Sequence, residues 1–162
     1  MNQKIIIEKT FKLALEYHQK NKLSEAKKFY KEILIIDPNH ANAHNNLGLI
    51  YKNLGEFQKA IDCYQKAIQI QPNYAGAYNN LGSLQKSLGE FQKAIDCYQK
   101  GLEYEPENLN YYYQLSSLEK KILNSSLKTK IVTIMKKNFL TKTNLAYGNF
   151  LLAKYENHEK NY

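Results

Sequence analysis

The sequence predicts an all-α fold, a solenoid of stacked helix-turn-helix repeats that ends in a C-terminal helical cap. The first observation is an internal repeat, because the thirteen residues Leu54–Lys66 recur letter for letter as Leu88–Lys100, at an offset of 34 residues. The second is that apolar residues recur at three- and four-residue steps, which indicates amphipathic helices. A fixed period of this length is typical of solenoids, so the repeat organises the chain.

Each repeat is predicted to contain two short helices. In residues 41–74 we expect helix A over Ala41–Asn53 and helix B over Phe57–Ile70. Gly55 separates them, because glycine readily adopts the left-handed conformation at the end of a helix, and Pro72 cannot continue helix B. A helix pair this short cannot bury its own apolar face, so neighbouring pairs must stack to close a core.

The same register extends to both sides of the identical segments. We expect a single domain over 1–162, in which terminal segments act as caps, as is usual in repeat proteins. The repeats are placed at about residues 7–40, 41–74 and 75–108, and a degenerate repeat with capping helices occupies 109–162. The capping region is predicted to form helices at about Asn108–Leu123, Ser126–Asn138 and Lys142–Asn157.

The repeats carry leucine, glycine, an aromatic residue, alanine, a second aromatic residue, alanine and proline at fixed positions. One repeat has Leu47, Gly48, Tyr51, Ala60, Tyr64, Ala67 and Pro72, and the next has Leu81, Gly82, Ala94, Tyr98 and Pro106. This pattern resembles that of the tetratricopeptide-repeat (TPR) family. It departs from the family at Gln85, where an aromatic residue is expected, and at Gly101, where alanine is expected.

The resemblance implies a protein–protein interaction scaffold that binds a peptide segment of a partner in a concave groove. In TPR proteins the groove is lined by helix A side chains. The run Tyr111–Tyr113 begins a helix, so one or two of its rings are expected to pack on the third repeat and the remaining ring to face the groove. The candidate peptide-binding residues are Asn42, Asn45, Asn46, Lys52, Asn79, Asn80, Lys86, Tyr113 and Lys120.

Asparagine dominates the predicted groove. Its amide offers both donors and an acceptor, so a row of asparagines can pair with the main chain of an extended peptide. The Asn-Asn-Leu-Gly strings that begin at Asn45 and Asn79 are similar to the TPR region of O-GlcNAc transferases, in which an asparagine ladder binds peptide main chain. The alternative is that these residues are ordinary polar side chains on a wet helix face.

Lysine recurs at one groove position in each of three repeats. Lys52, Lys86 and Lys120 form either a basic stripe that favours an acidic peptide or ordinary solvated surface. TPR co-chaperones bind the C-terminal carboxylate of heat-shock chaperones through a Lys-Asn-Asn-Lys-Arg clamp. Only the middle asparagine of that clamp survives here, so this ligand is not expected. The matching positions are Phe11, Leu15, Asn46, Gly76 and Asn80.

All positive side-chain charge at neutral pH comes from lysine. The 23 basic residues are all lysines, they are spread along the chain, and the formal net charge is +8. Arginine is the usual bidentate reader of phosphate and guanine, so its absence argues against a nucleic-acid partner. Dispersed lysines are typical of solvated helix faces.

We expect no enzymatic activity in these residues, no cofactor, no metal and no membrane partner. No stretch approaches the roughly 20 apolar residues that a membrane span needs. Cys63 and Cys97 occupy the same helix B position one repeat apart, and are expected to be small buried residues rather than a disulfide. No zinc-ligand spacing, phosphate loop or nucleophile motif is present. The expected compartment is the cytoplasm.

A second interpretation makes the chain the N-terminal recruitment domain of a larger enzyme, such as a TPR-containing sulfotransferase or glycosyltransferase. The C-terminal third, and residues 144–162 in particular, resembles the region that precedes the catalytic domain in bacterial TPR-containing sulfotransferase-like proteins. Catalysis would then occur beyond Tyr162. The identity of the partner and the oligomeric state stay open.

Overall fold

The computed structural model describes residues 3–119, 122–137 and 140–159. Secondary structure in these residues is entirely helical, which confirms the predicted fold class. The helices are α1 (Gln3–Gln19), α2 (Leu23–Ile36), α3 (Ala41–Asn53), α4 (Phe57–Ile70), α5 (Ala75–Ser87), α6 (Phe91–Tyr104), α7 (Leu109–Leu118), α8 (Ser125–Met135) and α9 (Lys142–Glu159).

The first six helices form three packed pairs, α1 with α2, α3 with α4, and α5 with α6. The second helix of each pair then packs on the first helix of the next unit, so that α2 contacts α3, α4 contacts α5 and α6 contacts α7. Helices α3 and α4 have the predicted bounds. This stacking closes the core that a single pair cannot close, as expected for a solenoid.

Glycine sets the separation of the two helices within a pair. A Cβ atom on Gly48 would lie 2.8 Å from Cε1 of Tyr64, and one on Gly82 would lie 2.9 Å from Cε1 of Tyr98. Both tyrosines are fully buried. A contact this short leaves no room for a larger side chain, so each tyrosine ring lies directly on the backbone of the preceding helix. Gly55, with φ +74°, closes the turn between α3 and α4.

The C-terminal cap departs from the repeat. Helix α7 ends at Leu118, earlier than the predicted Leu123, and it packs against α6 and α9, while α8 packs against α9. The backbone N–H of Leu109 donates to Oδ1 of Asn144 at 2.7 Å, and Nδ2 of Asn144 donates to the carbonyl of Glu107 at 3.0 Å. One asparagine therefore ties the start of α9 to the start of α7. Helix α8 ends at Met135, earlier than the predicted Asn138, which lies outside the described residues.

Gln85 replaces the expected aromatic residue and is buried. The thiol of Cys97 donates to its Oε1 atom at 3.2 Å. Burial raises the pKa of Cys97 to about 11, so the thiol stays protonated and remains a donor at neutral pH. Cys63 is half-buried, and both cysteines are free thiols, so Cys97 is buried as predicted and Cys63 only partly so.

Gly101 replaces the expected alanine because Tyr111 occupies the space. A Cβ atom at Gly101 would overlap the ring of Tyr111. The Tyr111 hydroxyl donates to the carbonyl of Ala75 at 2.6 Å, which fixes the ring. Tyr111 and Tyr112 are buried and Tyr113 is half-buried, and Tyr111 packs on the third repeat as predicted.

Two negative findings apply to the described part of the chain. No helix there has the length and apolar character that crossing a bilayer requires. No group of three or more His, Cys, Asp or Glu side chains there is arranged to hold a metal ion.

We predict that Gly101→Ala destabilises the wild-type chain but stabilises a variant in which Tyr111 is replaced by alanine. Alone, the substitution is expected to lower the free energy of unfolding by about 1–3 kcal/mol, because the added methyl group overlaps a fixed ring. In a Tyr111→Ala background, which restores the small residue found at Ala43 and Ala77, the same substitution is expected to stabilise by up to about 1 kcal/mol through helix propensity. Urea unfolding followed by circular dichroism measures the free energy of unfolding of the wild type, the two single variants and the double variant. Equal destabilisation in both backgrounds would contradict the overlap.

Candidate peptide-binding face

The first helix of each pair contributes to one surface, which we call the helix A face. It is formed by α1, α3, α5 and α7, and α3 touches α5 directly. In stacked repeats the small rotation from one unit to the next makes such a surface extended and concave. Of the predicted binding residues, four lie on α3, three on α5 and one, Tyr113, on α7, while Lys120 lies outside the described residues.

An amide network joins α3 to α5. Nδ2 of Asn80 donates to Oδ1 of Asn45 at 2.9 Å, and Nδ2 of Asn45 donates to Oδ1 of Asn46 at 3.4 Å. Asn45 is only 7% exposed, so its amide serves this link. Asn46 and Asn80 are half-buried. Among the described residues, nothing donates a hydrogen bond to the amide oxygen of Asn80, which leaves an acceptor at the surface.

A second part of the network joins α5 to α7. Nδ2 of Asn110 donates to Oδ1 of Asn79 at 2.8 Å, and Nε2 of Gln114 donates to Oδ1 of Asn110 at 3.3 Å. Hydrogen-bonded amide side chains therefore extend across α3, α5 and α7, the first helices of three successive repeats. Asn110 and Gln114 were absent from the predicted site, although the 34-residue register equates them with Gly76 and Asn80 of the preceding repeat.

Asn46 also adjoins the buried Tyr30. Burial raises the pKa of Tyr30 to about 12, and the neighbouring Asn46 amide partly offsets this rise.

Asn42 lies apart from the other predicted asparagines. It is exposed and lines an open cavity of about 370 Å³ with Asp37, His40 and Gln71. The structure therefore brings Asn45, Asn46, Asn79 and Asn80 together, and leaves Asn42 outside the amide network.

The two described lysines of the predicted stripe make the same contact in successive repeats. Nζ of Lys52 donates to Oγ of Ser83 at 3.4 Å, and Nζ of Lys86 donates to Oγ of Ser117 at 2.7 Å. Lys86 also donates to Oε1 of Gln114 at 3.1 Å. All these partners are neutral. Since no carboxylate of the described residues pairs with Lys52 or Lys86, both keep an uncompensated positive charge.

Several lysines outside this face pair with carboxylates. Lys100 pairs with Glu103 at 2.9 Å, and Lys93 pairs with Glu90 at 3.1 Å. The hydrogen bond to Glu103 raises the pKa of Lys100. Positive charge on the helix B surface is thus partly neutralised by carboxylates, whereas that of the two stripe lysines is not.

Helix α9 adds three side chains around Tyr113. The Tyr113 ring centroid lies 5.3 Å from that of Tyr147 and 6.1 Å from that of Phe150, and Nζ of Lys154 lies 4.7 Å from it. The pKa of Lys154 is lowered, first by burial and then by the charge of Lys86. Sequence reasoning missed these neighbours, because no repeat pattern relates residues 147–154 to Tyr113.

Family comparisons agree with this architecture. A family model described as "Tetratricopeptide repeat" matches residues 41–74 and 75–108, and one described as "TPR repeat" matches residues 14–55. Together they cover residues 14–108, which is more than half of the chain. The chain belongs to the tetratricopeptide-repeat family, whose members generally mediate protein–protein interactions and are typically noncatalytic scaffolds.

Solved structures share the fold. A crystal structure of MamA is 27% identical, with a TM-score of 0.68, and the match covers 95% of this chain and 81% of that one. The Arabidopsis OM64 TPR domain is 22% identical, with a TM-score of 0.69, covering 74% of this chain and 99% of that one. The first TPR of Spaghetti (RPAP3), bound to the HSP90 peptide SRMEEVD, is 22% identical, with a TM-score of 0.67, covering 73% and 94%.

No curated protein sequence matches the chain. The resemblances to O-GlcNAc transferases and to sulfotransferase-like proteins find no support in these relatives. The interpretation as a domain of a larger enzyme likewise gains none.

We predict that Lys86→Gln raises the pKa of Lys154. Removing a like charge favours the protonated ammonium group, so Lys154 is expected to lose its proton at a higher pH in the variant than in the wild type. An NMR titration of the lysine CεH₂ signals measures the shift. Lys100→Gln is the matched control, because Lys100 pairs with Glu103 on α6 and its removal leaves Lys154 unchanged. An unaltered Lys154 titration in Lys86→Gln would refute the electrostatic coupling.

Proposed function

We propose that the helix A face binds an extended segment of a partner protein, with Asn46 and Asn80 pairing to its main chain and with lysines favouring acidic side chains. One observation carries the proposal: a row of amide side chains crosses α3, α5 and α7, and part of its hydrogen-bonding capacity is unused. An extended peptide presents both donors and acceptors along its length, and primary amides offer both.

The network prepares these amides for binding. The hydrogen bond to Asn45 orients Asn80, so less side-chain freedom remains to be lost when a ligand binds. Pairing with main-chain groups places little demand on the ligand's side chains. The uncompensated charges of Lys52 and Lys86 then favour ligands that carry carboxylates.

The chemistry proposed here differs from that of a clamp for a terminal carboxylate. The three cationic positions of that clamp are occupied here by Phe11, Gly76 and Asn80, which carry no charge. Phe11 is packed against other rings, with centroids 5.8 Å from Tyr30 and 5.1 Å from His40. The Spaghetti (RPAP3) domain in its HSP90 peptide complex therefore supports peptide binding by a shared fold, and the ligand we propose for this chain is an internal acidic segment.

The double substitution Asn46→Ala with Asn80→Ala is expected to weaken peptide binding by about tenfold, because two hydrogen bonds to the ligand main chain are lost. Peptides selected from a random library for binding to the wild-type chain serve as probes. Fluorescence anisotropy measures their affinity, and circular dichroism verifies that the helical content is retained.

The matched control is Gln65→Ala with Gln99→Ala, which removes two exposed amides from α4 and α6. It is expected to leave every affinity unchanged. Selected peptides that bind the double asparagine variant as tightly as the wild type would show that the amide row is not the binding surface. A selected set with no excess of acidic residues would contradict the role given to the lysines.

A further inference from the structure

Helix α9 builds a distinct end to the helix A face. It packs against α7 and brings an exposed ring and an ammonium group next to Tyr113. Phe150 is 57% exposed, although it lies against the Tyr113 ring. Together with Tyr147, these rings form an apolar surface open to solvent.

Two ammonium groups lie beside that surface. Nζ of Lys154 donates to Oγ of Ser116 at 3.1 Å, and Nζ of Lys86 donates to Oγ of the adjacent Ser117 at 2.7 Å. The hydroxyl hydrogens of both serines are directed elsewhere, since Ser116 donates to the carbonyl of Tyr113 and Ser117 to that of Gln114. The serine lone pairs are thereby held toward the lysines, and both ammonium groups are fixed on one turn of α7.

Within the part of the chain that the structure describes, the charge of this lysine pair is not balanced by a paired carboxylate. No carboxylate of the described residues pairs with Lys86 or Lys154, and Lys86 is the charged group that acts on Lys154. Two like charges in a half-buried position repel each other and are poorly hydrated. An anionic group placed between them relieves both costs.

We propose that Tyr113, Tyr147, Phe150, Lys86 and Lys154 form an anchor subsite for a partner segment in which an acidic side chain is next to a large apolar one. The carboxylate binds between the two ammonium groups, and the apolar side chain packs on Phe150 and Tyr147. This subsite rests on the proposed function. Pairing with the ligand main chain does not depend on the ligand's sequence, so the subsite supplies the side-chain specificity.

A peptide fits this end of the face better than a nucleic acid does. Tyr147 also borders an open cavity of about 670 Å³ whose lining includes Glu105 and Glu107. Glu107 pairs with Lys137, so a polyanion that continued from the lysines into this cavity would be repelled chiefly by the carboxylate of Glu105. A segment with one or two acidic side chains, followed by neutral residues, avoids that repulsion.

The test uses three short fluorescein-labelled peptides that differ only in their centre, which is Phe-Glu-Glu, Phe-Gln-Gln or Ala-Glu-Glu between flexible Gly-Ser arms. Wild-type protein is expected to bind the Phe-Glu-Glu probe most tightly at low salt. Lys154→Gln is expected to weaken that probe by about threefold to tenfold and to leave Phe-Gln-Gln unchanged. Phe150→Ala is expected to weaken both phenylalanine probes and to leave Ala-Glu-Glu unchanged.

Matched controls separate the subsite from general surface effects. Lys100→Gln removes a lysine from α6, and Phe91→Ala removes a ring that is 56% exposed at the start of α6. Neither is expected to change any affinity. Asn46→Ala with Asn80→Ala is expected to weaken all three probes alike, because it removes main-chain pairing.

The outcomes are distinguishable. If all three probes bind equally to wild type, or if none binds, the anchor subsite is wrong. If the asparagine variant weakens the probes while Lys154→Gln and Phe150→Ala have no selective effect, the face binds peptides and the subsite alone fails. If a single-stranded DNA oligonucleotide displaces the Phe-Glu-Glu probe at lower concentration than unlabelled peptide does, the occupant is a nucleic acid and the proposal is overturned.

Discussion

The contact of a buried tyrosine with a glycine backbone determines how the repeats assemble. Tyr64 lies on Gly48 and Tyr98 lies on Gly82, each at a distance that excludes a Cβ atom. The helices of a pair therefore approach closely, and the next pair stacks at a fixed offset. That offset brings α3 against α5 and sets Asn80 within 2.9 Å of Asn45. The amide row of the helix A face is thus a consequence of how α3 packs on α4 and α5 on α6.

The same contact is lost after α6, and the cap follows from that loss. The residue 34 positions beyond Gly82 is Ser116, and the one 34 positions beyond Tyr98 is Val132. Helix α8 therefore packs on α9. A new close approach forms at Gly148, where a Cβ atom would lie 2.5 Å from Sδ of Met135 and 3.0 Å from Cδ1 of Leu109. With α9 packed on α7, the Ser116 hydroxyl accepts a hydrogen bond from Lys154.

The repeat made most of the fold predictable. Gly55 and Pro72 marked the ends of two helices, and α3 and α4 have the predicted bounds. The 34-residue period placed the same helix ends in the next repeat. The same register placed Asn46, Asn80 and Lys86 on the first helices of their repeats, where α3 and α5 carry them. It gave no contacts for the C-terminal cap, because the pairs Leu109 with Asn144 and Ser116 with Lys154 are distant in sequence and obey no period.

The number of lysines in a sequence does not predict where uncompensated positive charge lies on the surface. Lys86 and Lys100 are the same residue type, yet Glu103 neutralises Lys100, while the partners of Lys86 among the described residues are the neutral Ser117 and Gln114. Glu90 and Glu103 lie three residues from lysines of α6, whereas serine is repeated on helix A. Lysine charge is therefore partly cancelled on the helix B surface and retained at Lys52 and Lys86. Because α9 brings Lys154 close to Lys86, positive charge is concentrated at the C-terminal end of the helix A face. Under the proposed function, this charge would draw an acidic ligand to the end of the face that the repeat itself does not build.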